Sequence, residues 1–205
     1  MKNTTILLLM LLLLSNSLFS QKTKSDVFNS TDIVWYGLDF SEAKLRGSGG
    51  FNDVPKIRNY YFNEWNHLMV REQDRYDIAR AFKKANVEYN LSIIEERNKQ
   101  VKLEGLVIDE AYTLDEDRIP EILGQYELKQ TEGIGLVFIV ESLNKSYAQA
   151  PMYVVFFDIA NKTPLLVKKM VGEPSGFTFR SYWAGAVYDV LNQCRKAYPK
   201  WKKGK

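Results

Sequence analysis

Two apolar runs, GLVFIVESL at 135–143 and MYVVFFDIA at 152–160, constrain this chain more than any other feature. Each is nearly continuous in valine, isoleucine, leucine and phenylalanine over the length of a strand, without polar alternation, so each predicts a strand buried on both faces. Such strands need packing layers above and below them. The second run leads into NKTP and LLVKKM, a turn and a returning strand, which predicts a hairpin. After GEPSGFTF, the segment RSYWAGAVYDVLNQCRKAY places Trp183, Ala186, Val187, Val190, Leu191, Cys194 and Ala197 at helical spacing. A closing helix with an apolar face is expected, and Cys194, in mid-stripe, reads as a small buried hydrophobe.

Upstream, DIVWYGLDF predicts a strand with Val34, Tyr36, Leu38 and Phe40 on one face and Ile33 and Trp35 on the other. The glycine- and polar-rich stretch 46–62, RGSGGFNDVPKIRNYYF, reads as a long loop. A helix is expected from about Asn63 to Lys84, with Trp65, Leu68, Met69, Tyr76, Ala79 and Phe82 on its apolar face. VEYNLSIIEE alternates as a strand through Val87, Tyr89, Leu91 and Ile93, and QVKLEGLVID adds a further strand or an extended crossover. In TLDEDRIPEILGQYEL, Thr113 and Glu116 have capping-box spacing, while Pro120 delays the start of the hydrogen-bonded helix. The order predicts a single α/β (α+β) domain. Its mixed sheet has about five strands packed by three helices, and the C-terminal hairpin precedes the closing helix.

The chain opens MKNTTILLLMLLLLSNSLFSQ, with Lys2 ahead of an apolar run from Ile6 to Leu14 and then small polar residues. That is the pattern of an export signal over residues 1–20, cut after Ser20, and its run is shorter than the roughly 20 residues that cross a bilayer. A leader that stays uncut and tethers the domain to the inner membrane is the alternative. The expected location is periplasmic or secreted, with no integral span after cleavage. Residues 21–31 read as a flexible polar segment, 32–199 as the domain and 200–205 as a basic tail. The chain carries 28 Lys and Arg against 25 Asp and Glu, one of those cations being Lys2 of the leader, a balance that gives no drive toward nucleic acid. With Cys194 as the one cysteine, no internal disulfide is possible, and stability has to come from packing.

Little in the sequence resembles catalytic machinery. The one histidine, His67, falls on the polar side of its helix, which removes the common histidine-dependent triads and multi-histidine metal sets. No GxSxG, GxxxxGK[ST] or HExxH motif occurs. GSGG at 47–50 does not open a helix, and the acids of IDEAYTLDEDRIPE lack calcium-loop spacing, so they read as a solvated helix start. No catalytic residue, metal ligand or cofactor is assigned. Glu72 interrupts the apolar stripe of the expected 63–84 helix; a carboxylate there needs a partner, and Arg180, at the entry to the closing helix, is the candidate.

VWYGLDFSEAKLRG, GLVFIVESLNK, MYVVFFDIANKTPLLVKKM and GFTFRSYWAGAVYDVL resemble an uncharacterised family of exported proteins from Bacteroidetes. The order of elements is also loosely similar to the N-terminal domain of TolB and to CsgG-like envelope proteins. That likeness implies a helix-backed mixed sheet used in binding and assembly, and it transfers no catalytic residue. The expected function is a non-catalytic binding or envelope-assembly module for an unknown protein or small ligand. Tyr60, Tyr61 and Phe62, together with SLNKSYAQAP, form the candidate partner surface. The alternative is an exported hydrolase or lyase working through Glu72, Asp39 or Glu141.

Overall fold

The computed structural model describes residues 21–204; the expected leader lies outside them. A mixed five-stranded sheet has the order β3-β1-β5-β7-β8, formed by β1 (Asp32–Asp39), β3 (Asn86–Tyr89), β5 (Ile134–Val140), β7 (Ala150–Asp158) and β8 (Pro164–Gly172). β3, β1 and β5 run parallel, while β7 pairs antiparallel with both β5 and β8. The hairpin and the two doubly buried strands are therefore as expected, with every residue of β5 buried. A second, three-stranded sheet, which the apolar pattern did not announce, joins β4 (Val107–Ile108), β2 (Lys44–Arg46) and β6 (Ser142–Asn144). β2 follows β1, and β6 follows β5, so the small sheet caps the C-terminal ends of those strands.

Helices cover both faces. One core lies under α2 (Phe62–Arg71), α3 (Ile78–Ala81) and the closing α6 (Phe179–Lys202), and includes Trp65, Phe82, Trp183, Val190 and Cys194. The other packs Ile94 of α4 (Ser92–Lys99) and Ile119, Ile122 and Leu123 of α5 (Ile119–Gly124) against Tyr36, Val137 and Phe157. Burial pushes the Cys194 thiol up to about 12, as suits a packed hydrophobe.

The phase of β1 differs from the expected alternation. Trp35, Leu38 and Phe40 belong to one core and Val34 and Tyr36 to the other. The cause is a bulge: the register with β5 shifts between Trp35 and Gly37, and Gly37 has φ +109°. One extra residue turns the rest of the strand over, so Leu38 faces the core opposite Tyr36, and Asp39 reaches Tyr126 on the other side.

Beyond Tyr89, where β3 stops, that edge of β1 has no neighbouring strand. Two buried carboxamides take its place. Asn66 accepts from Leu38 N–H at 2.6 Å and donates to Leu38 C=O at 3.0 Å, and Asn98 accepts from Phe40 N–H at 2.8 Å while donating to the same carbonyl at 3.0 Å. Buried backbone groups left without such partners would be costly. The expected strand through Leu91 and Ile93 is accordingly short, because α4, which carries Asn98, begins at Ser92.

Other boundaries move for local reasons. The expected 63–84 helix ends at Arg71, and Asp77 caps a separate α3 by accepting from Arg80 N–H. The polar run Glu72–Arg75 has little apolar surface to hold another turn, and Asp77 competes for backbone donors. Stretch 46–62 is not a long loop: β2 opens it, and from Val54 it is helical, with a π-helical segment Ile57–Tyr61 running into α2. α5 begins after a short 3₁₀ turn at Glu116–Arg118, Asp115 acting as its cap, which is the delay that Pro120 implies.

Segment 21–31 is tied down instead of flexible. Its α1 (Lys24–Asn29) buries Val27 completely, and Val27 C=O accepts from both Tyr198 Oη at 2.8 Å and Lys84 Nζ at 2.5 Å. Lys84 also donates to Ser30 C=O, and burial pushes its ammonium down to about 8. Cations at the last carbonyls of a helix complement its dipole. Nor does the basic tail start at Lys200: α6 continues to Lys202, with Trp201 buried among the core residues.

Candidate functional site

The structure separates Glu72 from Arg180. Glu72 caps the C-terminus of α2 with its side chain 45% exposed, and its nearest cation is Arg75 at 3.9 Å. Arg180 instead meets Glu64, two turns earlier on the same helix, at 3.0 Å. Glu64, 11% exposed, also holds Arg71 at 2.6 Å. The error traces to the helix boundary: with the helix ending at Arg71, position 72 leaves the apolar face. Burial acts to raise the Glu64 carboxyl, yet its hydrogen bonds and charge contacts with Arg71 and Arg180 leave it below the ordinary value.

A group lowered in this way stabilises the fold above its unfolded value, 4.5, and that contribution is lost as pH falls through the folded value. Glu64→Gln is expected to cost about 1–3 kcal/mol at neutral pH, with a gap to the unsubstituted protein that narrows below pH 4.5. Glu72→Gln should stay within about 0.5 kcal/mol. Urea unfolding of both variants at two pH values checks this.

The other carboxylates of the hydrolase alternative do not converge either. Glu141 accepts from Leu114 N–H at 3.0 Å and from Lys169 Nζ at 2.5 Å, which pins the 110–118 crossover to the sheet. Asp39, fully buried, accepts from Ser41 N–H at 2.8 Å, Tyr126 Oη at 2.7 Å and Arg97 Nε at 3.3 Å. Burial, and then the neighbouring Asp39, raise the Tyr126 phenol well above its usual value, so it remains a donor. His67 forms an outward contact with Glu95 at 2.7 Å. Among the described residues, no group of three or more His, Cys, Asp or Glu is placed to hold a metal ion, and no helix is long and apolar enough to cross a membrane.

Two features at the small-sheet end of the molecule do gather functional chemistry. One is a groove of about 380 Å³ beside the end of β1, walled by Ser41–Lys44, the end of α4 and the 100–106 turn. Arg97 enters it, oriented by Asp39, Gln125 and Ser41, with its guanidinium 5.0 Å from the centre of the Tyr126 ring.

The other is a belt of aromatic side chains. Tyr60 packs on Tyr61, Tyr61 on Phe179, and Phe179 on Phe51. Beyond it, Lys145 lies across Gly50 and sets its ammonium 4.0 Å over Tyr182. A side chain at position 50 would overlap Lys145, which accounts for a glycine there. Phe177 is fully exposed, Tyr147 is 70% exposed and Tyr60 47%.

The structure therefore divides the expected aromatic trio. Tyr60 is open, Tyr61 is half-buried against Trp65, and Phe62 is a core residue stacked on Phe40. Their setting is helical instead of loop, and helical spacing sends Phe62 inward while Tyr60 stays out. Phe177 and Arg97 were not singled out in the sequence, whereas Tyr147 lies in the SLNKSYAQAP stretch expected to form part of the partner surface. An isolated aromatic beside glycine or in a polar turn carries no periodic signal, although its place in a loop after a strand was legible. No protein-family model, curated protein or solved structure matches this chain.

Proposed function

We propose that this chain is an exported, non-catalytic binding or assembly module of the cell envelope, docking a protein partner through the aromatic end of its sheet. The observation that carries the reading is the exposure of Phe177, two residues before Phe179 of the packed belt, and of Tyr147, two residues after the Lys145 that covers Tyr182. Aromatic rings left in water on a rigid scaffold contribute nothing to the core, while rings in that setting anchor many protein interfaces. The leader pattern at 1–20 and the likeness to exported proteins of Bacteroidetes support the envelope as the setting. The separate partners of Asp39 and Glu141 favour binding over hydrolysis.

Photo-crosslinking in the native cells tests this. A photoreactive phenylalanine analogue at position 177 is expected to trap one discrete partner, whereas the same analogue at Glu132, before β5 and so at the other end of the sheet, is expected to trap none. With the captured partner purified, replacing Phe177, Tyr147 and Tyr60 by alanine should weaken binding about tenfold or more without unfolding the domain. Equal adducts from both positions, or unchanged affinity, would count against the reading.

A further inference from the structure

The groove beside β1 has a chemistry of its own, independent of the aromatic belt. Arg97 carries five N–H donors in a planar fork. Its Nε–H goes to Asp39 at 3.3 Å, one Nη1–H to Gln125 at 3.2 Å and one Nη2–H to Ser41 Oγ at 3.0 Å. One N–H on each terminal nitrogen has no protein acceptor among the described residues, and the side chain is 15% exposed where it meets the groove. A guanidinium held in one orientation, with a donor spare on each arm, matches a carboxylate or another oxyanion.

The rest of the lining narrows the choice. Ala43, Val101 and Leu106 lie beneath the groove but are nearly fully buried, so its accessible lining is mainly polar. Lys44 and Lys102 add positive charge, but the carboxylates of Glu42 and Glu104 also line it. Glu42 is committed to Arg118 at 2.7 Å, while Glu104 forms no ion pair among the described residues and would repel a second negative charge. A dianion such as a phosphate monoester is disfavoured there, whereas a single carboxylate suits the arginine.

We propose that this groove is a binding site for a small monocarboxylate, with the guanidinium of Arg97 receiving the carboxylate.

The test is a titration of the ¹⁵N-labelled mature chain, followed by NMR, with benzoate, acetate, inorganic phosphate and chloride at matched ionic strength. Benzoate and acetate are both expected to give saturable shifts confined to residues 41–44 and 97–106 and to the Arg97 Nε–H. Arg97→Lys keeps the charge but removes the fork, and should abolish saturation. If that variant does not fold, Lys102→Glu, at an exposed rim position, should still weaken benzoate several-fold and leave the remaining spectrum unchanged. Shifts no different from those with chloride, phosphate binding more tightly than benzoate, or benzoate affinity unaffected by Lys102→Glu would each overturn the assignment. None of these outcomes depends on a protein partner.

Discussion

Gly37→Ala is expected to lower the stability of this protein by about 3 kcal/mol or more. Two independent causes combine. At φ +109° an L side chain is strained whatever space surrounds it, and a Cβ built there would overlap Asn66 Oδ1, the acceptor for Leu38 N–H. Moving Asn66 aside to relieve the overlap would release the backbone groups it satisfies. Urea unfolding should show the loss directly, and the melting temperature should fall by about 6–12 °C for a chain of this size. A double-mutant cycle separates the causes: Gly37→Ala combined with Asn66→Ala should cost less than the sum of the single changes, because the clash vanishes and the dihedral strain remains. Full additivity would mean that the two positions do not press on each other as described.

Asn98→Ala should cost about 2–4 kcal/mol, a large effect for removing a carboxamide. The side chain is fully buried, and its removal orphans Phe40 N–H and takes one of two donors from Leu38 C=O, where no strand can substitute. It also breaks the contact with Asn63 Oδ1 at 3.1 Å, which links α4 to α2. Hydrogen exchange gives the sharper readout: the Phe40 amide should lose protection selectively, ahead of the amides of β7. Asn98→Leu, close in volume but without hydrogen bonds, should be at least as damaging as alanine. A leucine variant as stable as the parent would show that packing alone holds this edge.

Both predictions bear on the groove, because the bulge and the carboxamide pair set where β1 ends. With the bulge at Gly37, Asp39 turns toward Tyr126 and holds Arg97, the residue that gives the groove its donors. Without it, regular alternation would put position 39 on the face it shares with Trp35. A local bulge in one strand thus decides which ionisable groups meet two residues later.

Elements whose burial is written in their own composition were legible from residue order alone. The runs of β5 and β7 have no polar alternation, so both of their faces must be covered wherever they lie, and the turn NKTP brings β8 back beside β7. Helical spacing likewise carries the stripe of α6, including Cys194, because a helix face is a local property of the chain. The lack of histidine triads and catalytic motifs was equally a matter of inventory.

What only the tertiary structure decided are relations between distant positions. Glu64 meeting Arg180, Asn66 and Asn98 standing in for an absent strand, and Arg97 reaching Asp39 all join side chains brought together by packing, and polar residues carry no periodicity that records it. Strand phase belongs to the same class: one glycine with a positive φ reverses every later side chain of β1, and whether that glycine bulges or lies flat depends on the helix packed above it.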